Sequence, residues 1–245
     1  MPDFVRLALS ARRCNAAYIV DPRAASQAFA ALGSTFISQY RNLNHQAVLS
    51  RDSAGQVTLT ISGTRFSAGP IFDRVGDLLA DIDWTPKEIE PGILVADGAH
   101  SGLDEMWAWV FKNLPFGYAG TINVEGHSLG GWRTAYSPVH CPRSWVGTLT
   151  AFEPPKAGNA AFWDKYMAGV DYTVVVLGRD PWFAWPWESA GMLIQRPGTG
   201  LIWLDNGKFN ITTDWDWPGV NPLDIRFSDH GPDTVITALA ALAAK

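Results

Sequence analysis

The chain has 245 residues and a formal net charge of -5 at neutral pH, with 47% hydrophobic and 18% charged residues. This size and balance are typical of a globular protein with a substantial core. The acidic charge and the lack of a basic run argue against nucleic acid as a partner. No apolar stretch approaches the roughly 20 residues that span a bilayer.

Targeting and cysteine usage add two further expectations. The N-terminal stretch has an early acid, and Arg12 and Arg13 interrupt its apolar character, so it does not read as a signal peptide. We therefore expect a cytoplasmic protein, or one released without a visible signal. Cys14 and Cys141 are the only cysteines, which does not make a disulfide framework, and we predict two reduced thiols.

The first predicted elements are helices, and two antiparallel strands follow them. Residues 1 to about 33 are rich in helix formers, with a helix start at Asp21-Pro22, and residues 34–40 form a further short segment. Residues 46–50 and 57–61 read as strands on either side of Ser53-Ala54-Gly55. This pattern predicts an antiparallel N-terminal hairpin.

The rest of the chain alternates between strands and helices. Strands are predicted at 93–95, 120–124, 147–152 and 172–177, and helices at 104–113, from 132, at 159–167 and at 233–244. A second hairpin is predicted around Asp205-Asn206-Gly207. Alternation over 93–177 is typical of a mostly parallel sheet with helices on both faces, so we predict one α/β domain covering residues 1–245.

One stretch in the middle of the chain carries a recognisable chemical pattern. Residues 126–130, Gly-His-Ser-Leu-Gly, read Gly-x-Ser-x-Gly between a predicted strand and a predicted helix. The glycines permit a tight turn that exposes the hydroxyl of Ser128, as in a nucleophile elbow. The alternative is a glycine-rich turn with an idle serine.

A serine nucleophile needs a histidine base, which in turn needs an acid. In hydrolases with this elbow the chain order is serine, acid, histidine. Only His140 and His230 follow the serine, and His140 lies just beyond the helix that leaves the elbow, which favours His230. The best acid is Asp180, after the buried strand at 172–177, with Glu153 as runner-up. The alternatives are a surface histidine at 230 and a turn-forming aspartate at 180.

Acyl transfer also needs donors for the developing oxyanion. The amide of Leu129, directly after the serine, is one candidate. Gly63-Thr64 at the end of an earlier strand is the second, because Gly63 permits close approach and Thr64 offers an amide and a hydroxyl. The alternative for this pair is a plain turn at the end of a strand.

Several stretches between about residues 57 and 237 resemble, in order and spacing, the fungal-type triacylglycerol lipases, or class 3 lipases, which have an α/β-hydrolase fold. These stretches are Ser62-Gly63-Thr64-Arg65, the acidic segment 77–81, His100-Ser101-Gly102-Leu103, the elbow 126–131, the turn 155–159, Arg179-Asp180-Pro181 and Asp229-His230. The resemblance implies a carboxylic-ester hydrolase with Ser128, Asp180 and His230 as its triad. It also implies Thr64 and Leu129 as the oxyanion hole, an acyl-enzyme intermediate, and no metal or organic cofactor.

The sequence departs from the family in three places. Leu103 replaces an aromatic residue, Trp132 follows the last glycine of the elbow, and Gly231-Pro232 follows the histidine. The stretch 66–83, which corresponds to the family's lid, is short and weakly apolar, so it is either a small lid or a rim. Together with the acidic charge, it favours short-chain or soluble esters over long-chain acylglycerols.

Four residues are candidates for the substrate pocket. Arg65 and His127 can line the site, and so can His100. Packing or a polar surface position would account for these three residues equally well. Trp182 and Trp185 belong to an aromatic run that either walls the pocket or covers an edge of the sheet.

Two other functions compete with a serine esterase or lipase. One is a binding or structural protein on a hydrolase fold, against which the complete set of serine, aspartate and histidine argues. The other is an amidase or acyltransferase with the same triad, since another acceptor can compete with water for the acyl-enzyme. The sequence leaves the oligomeric state open.

Overall fold

A computed structural model describes residues 1–42, 45–64, 83–186, 192–196, 200–212 and 226–245. The strands of these segments are β1 Thr35–Arg41, β2 Gln46–Arg51, β3 Val57–Ile61, β4 Pro86–Glu90, β5 Ile93–Ala96, β6 Ile122–His127, β7 Val146–Phe152, β8 Tyr172–Leu177, β9 Leu201–Asp205 and β10 Lys208–Thr212. Their α-helices are α1 Phe4–Ala16, α2 Pro22–Ala31, α3 Asp97–His100, α4 Leu103–Asn113, α5 Leu129–Ala135, α6 Ser137–His140, α7 Ala160–Phe162 and α8 Pro232–Ala243.

Eight of these strands form one sheet in the order β1-β2-β3-β6-β7-β8-β9-β10. The strands from β3 to β9 in that order run parallel, whereas β1, β2 and β10 run antiparallel to their neighbours. The predicted mostly parallel sheet is therefore confirmed. So is the N-terminal hairpin, in which Ala47 of β2 pairs with Ile61 of β3.

Local sequence explains where several elements begin and turn. The side chains of Asp3 and Asp21 accept hydrogen bonds from backbone amides in the first turns of α1 and α2, as good N-caps do. Asn206 and Gly207 both have positive φ angles, 47° and 72°, between β9 and β10. This is the backbone of the tight hairpin turn that Asn-Gly predicts.

The predicted N-terminal helical region is confirmed as α1 and α2, and α2 begins after Asp21 as predicted. The structure corrects the sequence-based prediction in three other places. Residues 34–40, predicted only as a short segment, fall mainly in strand β1. The helix predicted at 159–167 continues from α7 as a π-helix, Trp163–Met167. Strand β5 is not part of the main sheet. It pairs with β4 in a separate antiparallel sheet, because β6 already occupies the position beside β3.

Helices cover the sheet on two faces. On one face α1 and α8 bury Leu7 and Leu239 against Phe152 and Val175. The opposite face carries α4, and the larger core cluster there includes Trp107 and Val176. Neighbouring residues of β8 thus point into different clusters, which explains its continuous apolar sequence. Cys14 and Cys141 are buried and unpaired, as predicted.

An ion pair between the partly buried Arg13 and the buried Glu125 joins α1 to the strand that leads to the elbow. Nε and Nη2 of Arg13 each donate to a carboxylate oxygen of Glu125 at 2.7 Å. The hydroxyls of Ser10 and Thr60 also donate to this carboxylate. The charge of Glu125 is therefore compensated by one guanidinium and two hydroxyls, which a carboxylate inside a sheet requires.

None of the helices in the described segments has the length and apolar character that crossing a membrane requires.

We predict that Arg13→Met lowers the free energy of unfolding by about 3–5 kcal/mol, because it leaves the buried Glu125 without its cation. Urea denaturation at neutral pH measures this loss. Arg12→Met is the matched control, since Arg12 is exposed on the same helix, and we expect it to change stability by less than about 0.5 kcal/mol. Equal urea midpoints for the two variants would contradict a stabilising role for the buried pair.

Candidate active site

Ser128 lies at a sharp turn between β6 and α5, and its backbone is strained. Its φ of 58° and ψ of -125° lie outside the regions that residues with a side chain prefer. The turn is held by a hydrogen bond from the amide of Ser128 to the carbonyl of Phe152 at 2.9 Å. The predicted strand, turn and helix are all present, and they present the serine at the carboxyl edge of the sheet.

Two glycines allow the turn to close. A Cβ on Gly126 would lie 2.7 Å from the backbone nitrogen of Gly131, and a Cβ on Gly130 would lie 2.8 Å from the carbonyl carbon of Ile61. Both distances are shorter than van der Waals contact, so a side chain at either position would push α5 away from β6 or β3. The glycines of the motif are thus explained by backbone packing.

The structure brings the three predicted triad residues together. The hydroxyl of Ser128 lies 2.8 Å from Nε2 of His230, and Nδ1 of His230 lies 3.0 Å from Oδ1 of Asp180. An ionised carboxylate can only accept, so Nδ1 carries the proton and Nε2 is free to accept from the serine. This chain can move a proton from the serine to the imidazole while the aspartate fixes the tautomer.

The two oxyanion candidates lie next to the serine. Leu129 is the first residue of α5, so its amide has no acceptor within the helix. A Cβ on Gly63 would lie 3.1 Å from Cβ of Ser128, which shows how closely the end of β3 approaches the serine. The hydroxyl oxygen of Thr64 is buried and has no hydrogen-bond partner within the described segments. Leu129 thus has a free amide directly after the serine, and Thr64 follows the glycine that approaches the serine most closely from β3.

His127 makes internal hydrogen bonds with both of its ring nitrogens. Its Nε2 lies 2.8 Å from the carbonyl oxygen of His230, and its Nδ1 lies 2.9 Å from the hydroxyl of Tyr18. The carbonyl can only accept, so Nε2 donates and Nδ1 accepts from the tyrosine. Burial, and then the neighbouring His230, lower the pKa of His127 to about 3, so the ring is neutral.

Tyr18 connects this histidine to the end of strand β3. Its hydroxyl accepts a hydrogen bond from the amide of Gly63, and burial raises its pKa. One hydroxyl therefore joins the candidate oxyanion strand end to His127, and His127 holds the backbone of His230. Sequence reasoning did not identify Tyr18, because it lies more than 100 positions before the histidine and belongs to no motif.

Glu153, the runner-up acid, also lies beside His230. Its Oε2 is 3.1 Å from Nε2 of His127 and 3.6 Å from Nδ1 of His230. Its side chain is fully buried. Burial raises the pKa of this carboxyl, and the nearby charge of Asp180 raises it further, which favours the neutral form of Glu153.

His127, Glu153 and His230 each place one possible metal ligand within 4.8 Å of the others. However, Nε2 of His127 donates to a carbonyl and Nδ1 of His230 bonds Asp180. Neither nitrogen offers a free lone pair to a metal in this arrangement. Within the described segments we therefore interpret the group as a hydrogen-bonded cluster.

Aromatic side chains lie beside the histidine. The ring centroids of Trp182 and His230 are 6.1 Å apart. Trp182 also contacts Trp185 edge-to-face and Phe227 with the two rings tilted. Trp182 and Trp185 are both buried. The predicted aromatic run thus lies beside His230, the predicted general base.

The other candidate residues make contacts with residues other than the triad or fall outside the described segments. His100 contacts Tyr136 and His140. His140, which sequence reasoning set aside as the base, bonds Asp104 at 2.8 Å. Arg65, and all of the predicted lid or rim at 66–83 except Asp83, lie outside the described residues.

A scan against protein-family models found no match, and a search of curated proteins found no significant match. Solved structures do match. A triacylglycerol lipase described by its serine protease triad superposes with a TM-score of 0.71 at 20% identity, over 92% of each chain. Lipase II from Rhizopus niveus gives a TM-score of 0.69 at 16% identity, over 93% of this chain and 92% of that one.

The lipase from Rhizopus microsporus var. chinensis gives a TM-score of 0.68 at 17% identity, over 93% of this chain and 85% of that one. Identities this low establish architecture and leave chemistry to be argued from the residues of the site. The chain has the α/β-hydrolase fold of the fungal triacylglycerol lipases.

Proposed function

We propose that the protein is a serine carboxylic-ester hydrolase, an esterase or lipase that acts through an acyl-enzyme. The observation that carries the proposal is the continuous hydrogen-bonded chain from Ser128 through His230 to Asp180, at an elbow that strains the serine. Strain of this kind persists only where the surrounding structure enforces it, and it concentrates at functional sites. The lipase fold supports the same reaction class.

In the proposed reaction, Oγ of Ser128 attacks the ester carbonyl carbon and its proton moves to Nε2 of His230. Asp180 stabilises the imidazolium through the proton on Nδ1. The carbonyl oxygen becomes an oxyanion and accepts hydrogen bonds from Leu129 and Thr64. Removal of one such donor typically costs roughly 3–4 kcal/mol of transition-state stabilisation.

The tetrahedral intermediate then collapses. The bond to the alcohol oxygen breaks, and the alcohol leaves with the proton from His230. Water attacks the acyl-enzyme while His230 takes a proton from it, and the second collapse releases the carboxylic acid and restores Ser128. Each cycle consumes one ester and one water, and the proposed steps use only side chains and backbone amides of this chain.

Two features around the triad support this assignment. The neutral His127 bonds the backbone of His230 and thereby holds the base in place. The hydroxyl of Tyr18 connects the same histidine to Gly63, so the base and the oxyanion strand end are fixed relative to each other. Fixed geometry is what converts binding of an ester into an oriented attack.

We predict turnover of p-nitrophenyl esters, with the highest kcat/KM at short acyl chains, because the protein is acidic and its lid-like stretch is short. Initial rates from acetate to palmitate measure this preference. We expect Ser128→Ala and His230→Ala to lower kcat by roughly 10³-fold or more.

A long-chain maximum that rises above the aggregation limit of the substrate would instead identify a lipase acting on aggregated acylglycerols. Adding an alcohol or amine acceptor to the same assay detects acyl transfer as a second product. No turnover at any chain length, or near-full activity in His230→Ala, would contradict the proposed mechanism.

A further inference from the structure

Two carboxyl groups face the same nitrogen of His230. Oδ1 of Asp180 lies 3.0 Å from Nδ1 and Oε2 of Glu153 lies 3.6 Å from it. Both carboxyls are fully buried. A triad uses one acid at this nitrogen, so the mechanism proposed above leaves the second one without a role.

The backbone of Glu153 has a strained conformation, and its side chain points towards the site. Glu153 follows the last residue of β7 and has a φ of 53°. A residue with a side chain is strained in this conformation, whereas glycine would not be. Within the described segments only Ser128, Glu153 and Asn206 are non-glycine residues with positive φ. Asn206 forms a hairpin turn, whereas Ser128 and Glu153 follow neighbouring strands and direct side chains towards His230.

The charge around Glu153 determines its protonation state. It faces the carboxyl of Asp180, the rings of His127 and His230, and more distantly the carboxyl of Asp229. Burial raises its pKa, and the charge of Asp180 raises it further, because a neighbouring negative charge disfavours a second ionised carboxylate. Oε1 of Glu153 and Oδ2 of Asp180 are buried without hydrogen-bond partners in the described part of the chain.

We propose that Glu153 is a second acid for His230, neutral while Asp180 is ionised and able to accept the Nδ1–H hydrogen bond when the carboxylate at 180 is absent. The proposal rests on the triad proposed above. When Glu153 replaces the acid at 180, it releases its proton to solvent water. Its carboxylate then moves from 3.6 Å to a hydrogen-bond length of about 2.9 Å from Nδ1 of His230. In the intact protein Glu153 is a positioning residue that accepts from Nε2–H of His127.

A double-mutant cycle tests this inference. Removing the only acid of a triad costs about 10⁴-fold in kcat. We expect Asp180→Asn to lose only about 10–100-fold, and Glu153→Gln to cost far less in the intact background than in the Asp180→Asn background, since the amide oxygen still accepts from His127. In the Asp180→Asn background we expect Glu153→Gln to remove at least a further tenfold.

The pH dependence of kcat provides a second test, because a purely structural role of Glu153 would not change it. The residual kcat of Asp180→Asn is expected to rise with pH as Glu153 ionises, in addition to the rise that an imidazole base produces in both variants. Only this additional rise is expected to be absent in the double variant. If Glu153→Gln costs the same factor in both backgrounds, the second-acid role is refuted while the triad stands. If the parent chain has no Ser128-dependent activity, the proposed function itself fails and this inference with it.

A stability measurement tests the neutral state of Glu153 without the Asp180 variant. A carboxyl whose pKa is raised in the folded chain contributes stability that is fully present below its unfolded pKa of about 4.3 and is lost as pH rises towards its folded pKa. Glu153→Gln is therefore expected to raise Tm more at pH 8 than at pH 4.

Glu105→Gln, at an exposed glutamate of α4, is the control, and we expect little difference in its effect on Tm between the two pH values. A Glu153→Gln variant that lowers Tm more at pH 8 than at pH 4 would mean that Glu153 is ionised in the folded protein. That result would overturn the proposed division of roles between the two acids.

Discussion

The site depends on how closely the backbone of α5 approaches strands β3 and β6. At Gly126 and Gly130 there is no room for a Cβ, so helix and strands meet at backbone distance. This contact forces Ser128 into its strained turn and places the amide of Leu129 at the open end of a helix. The nucleophile and one oxyanion donor are therefore consequences of the same packing constraint.

Contacts from the N-terminal segment hold this arrangement in place. Arg13 of α1 neutralises Glu125, which precedes Ser128 by three residues, and Tyr18 contacts His127, which precedes the serine directly. His127 then bonds the carbonyl of His230, which lies more than 100 residues later in the chain. Residues before the sheet thus fix both the strand that carries the serine and the loop that carries the base. Networks of this kind determine how precisely a site is held.

The mostly parallel sheet, the elbow and the candidates Ser128, Asp180 and His230 could be predicted from the sequence because each has a local signal. Glycines, β-branched runs and the serine–acid–histidine order act over short windows. The separate pairing of β5 could not be read, since an apolar run of four residues does not encode its partner strand. Tyr18 and the Arg13–Glu125 pair were missed for the same reason: they are contacts between residues distant in the chain. Glu153 was visible as a candidate acid, but its coexistence with Asp180 at one nitrogen required coordinates.

The account rests on Ser128 being an activated nucleophile, and covalent labelling tests this most directly. A fluorophosphonate reacts with an activated serine by forming a phosphorus–oxygen bond and releasing fluoride. Mass spectrometry of the digested adduct is expected to find one label, on the peptide that contains Ser128, with none in Ser128→Ala and slow labelling in His230→Ala. An unlabelled Ser128 in folded protein, or labelling that persists in Ser128→Ala, would contradict the account.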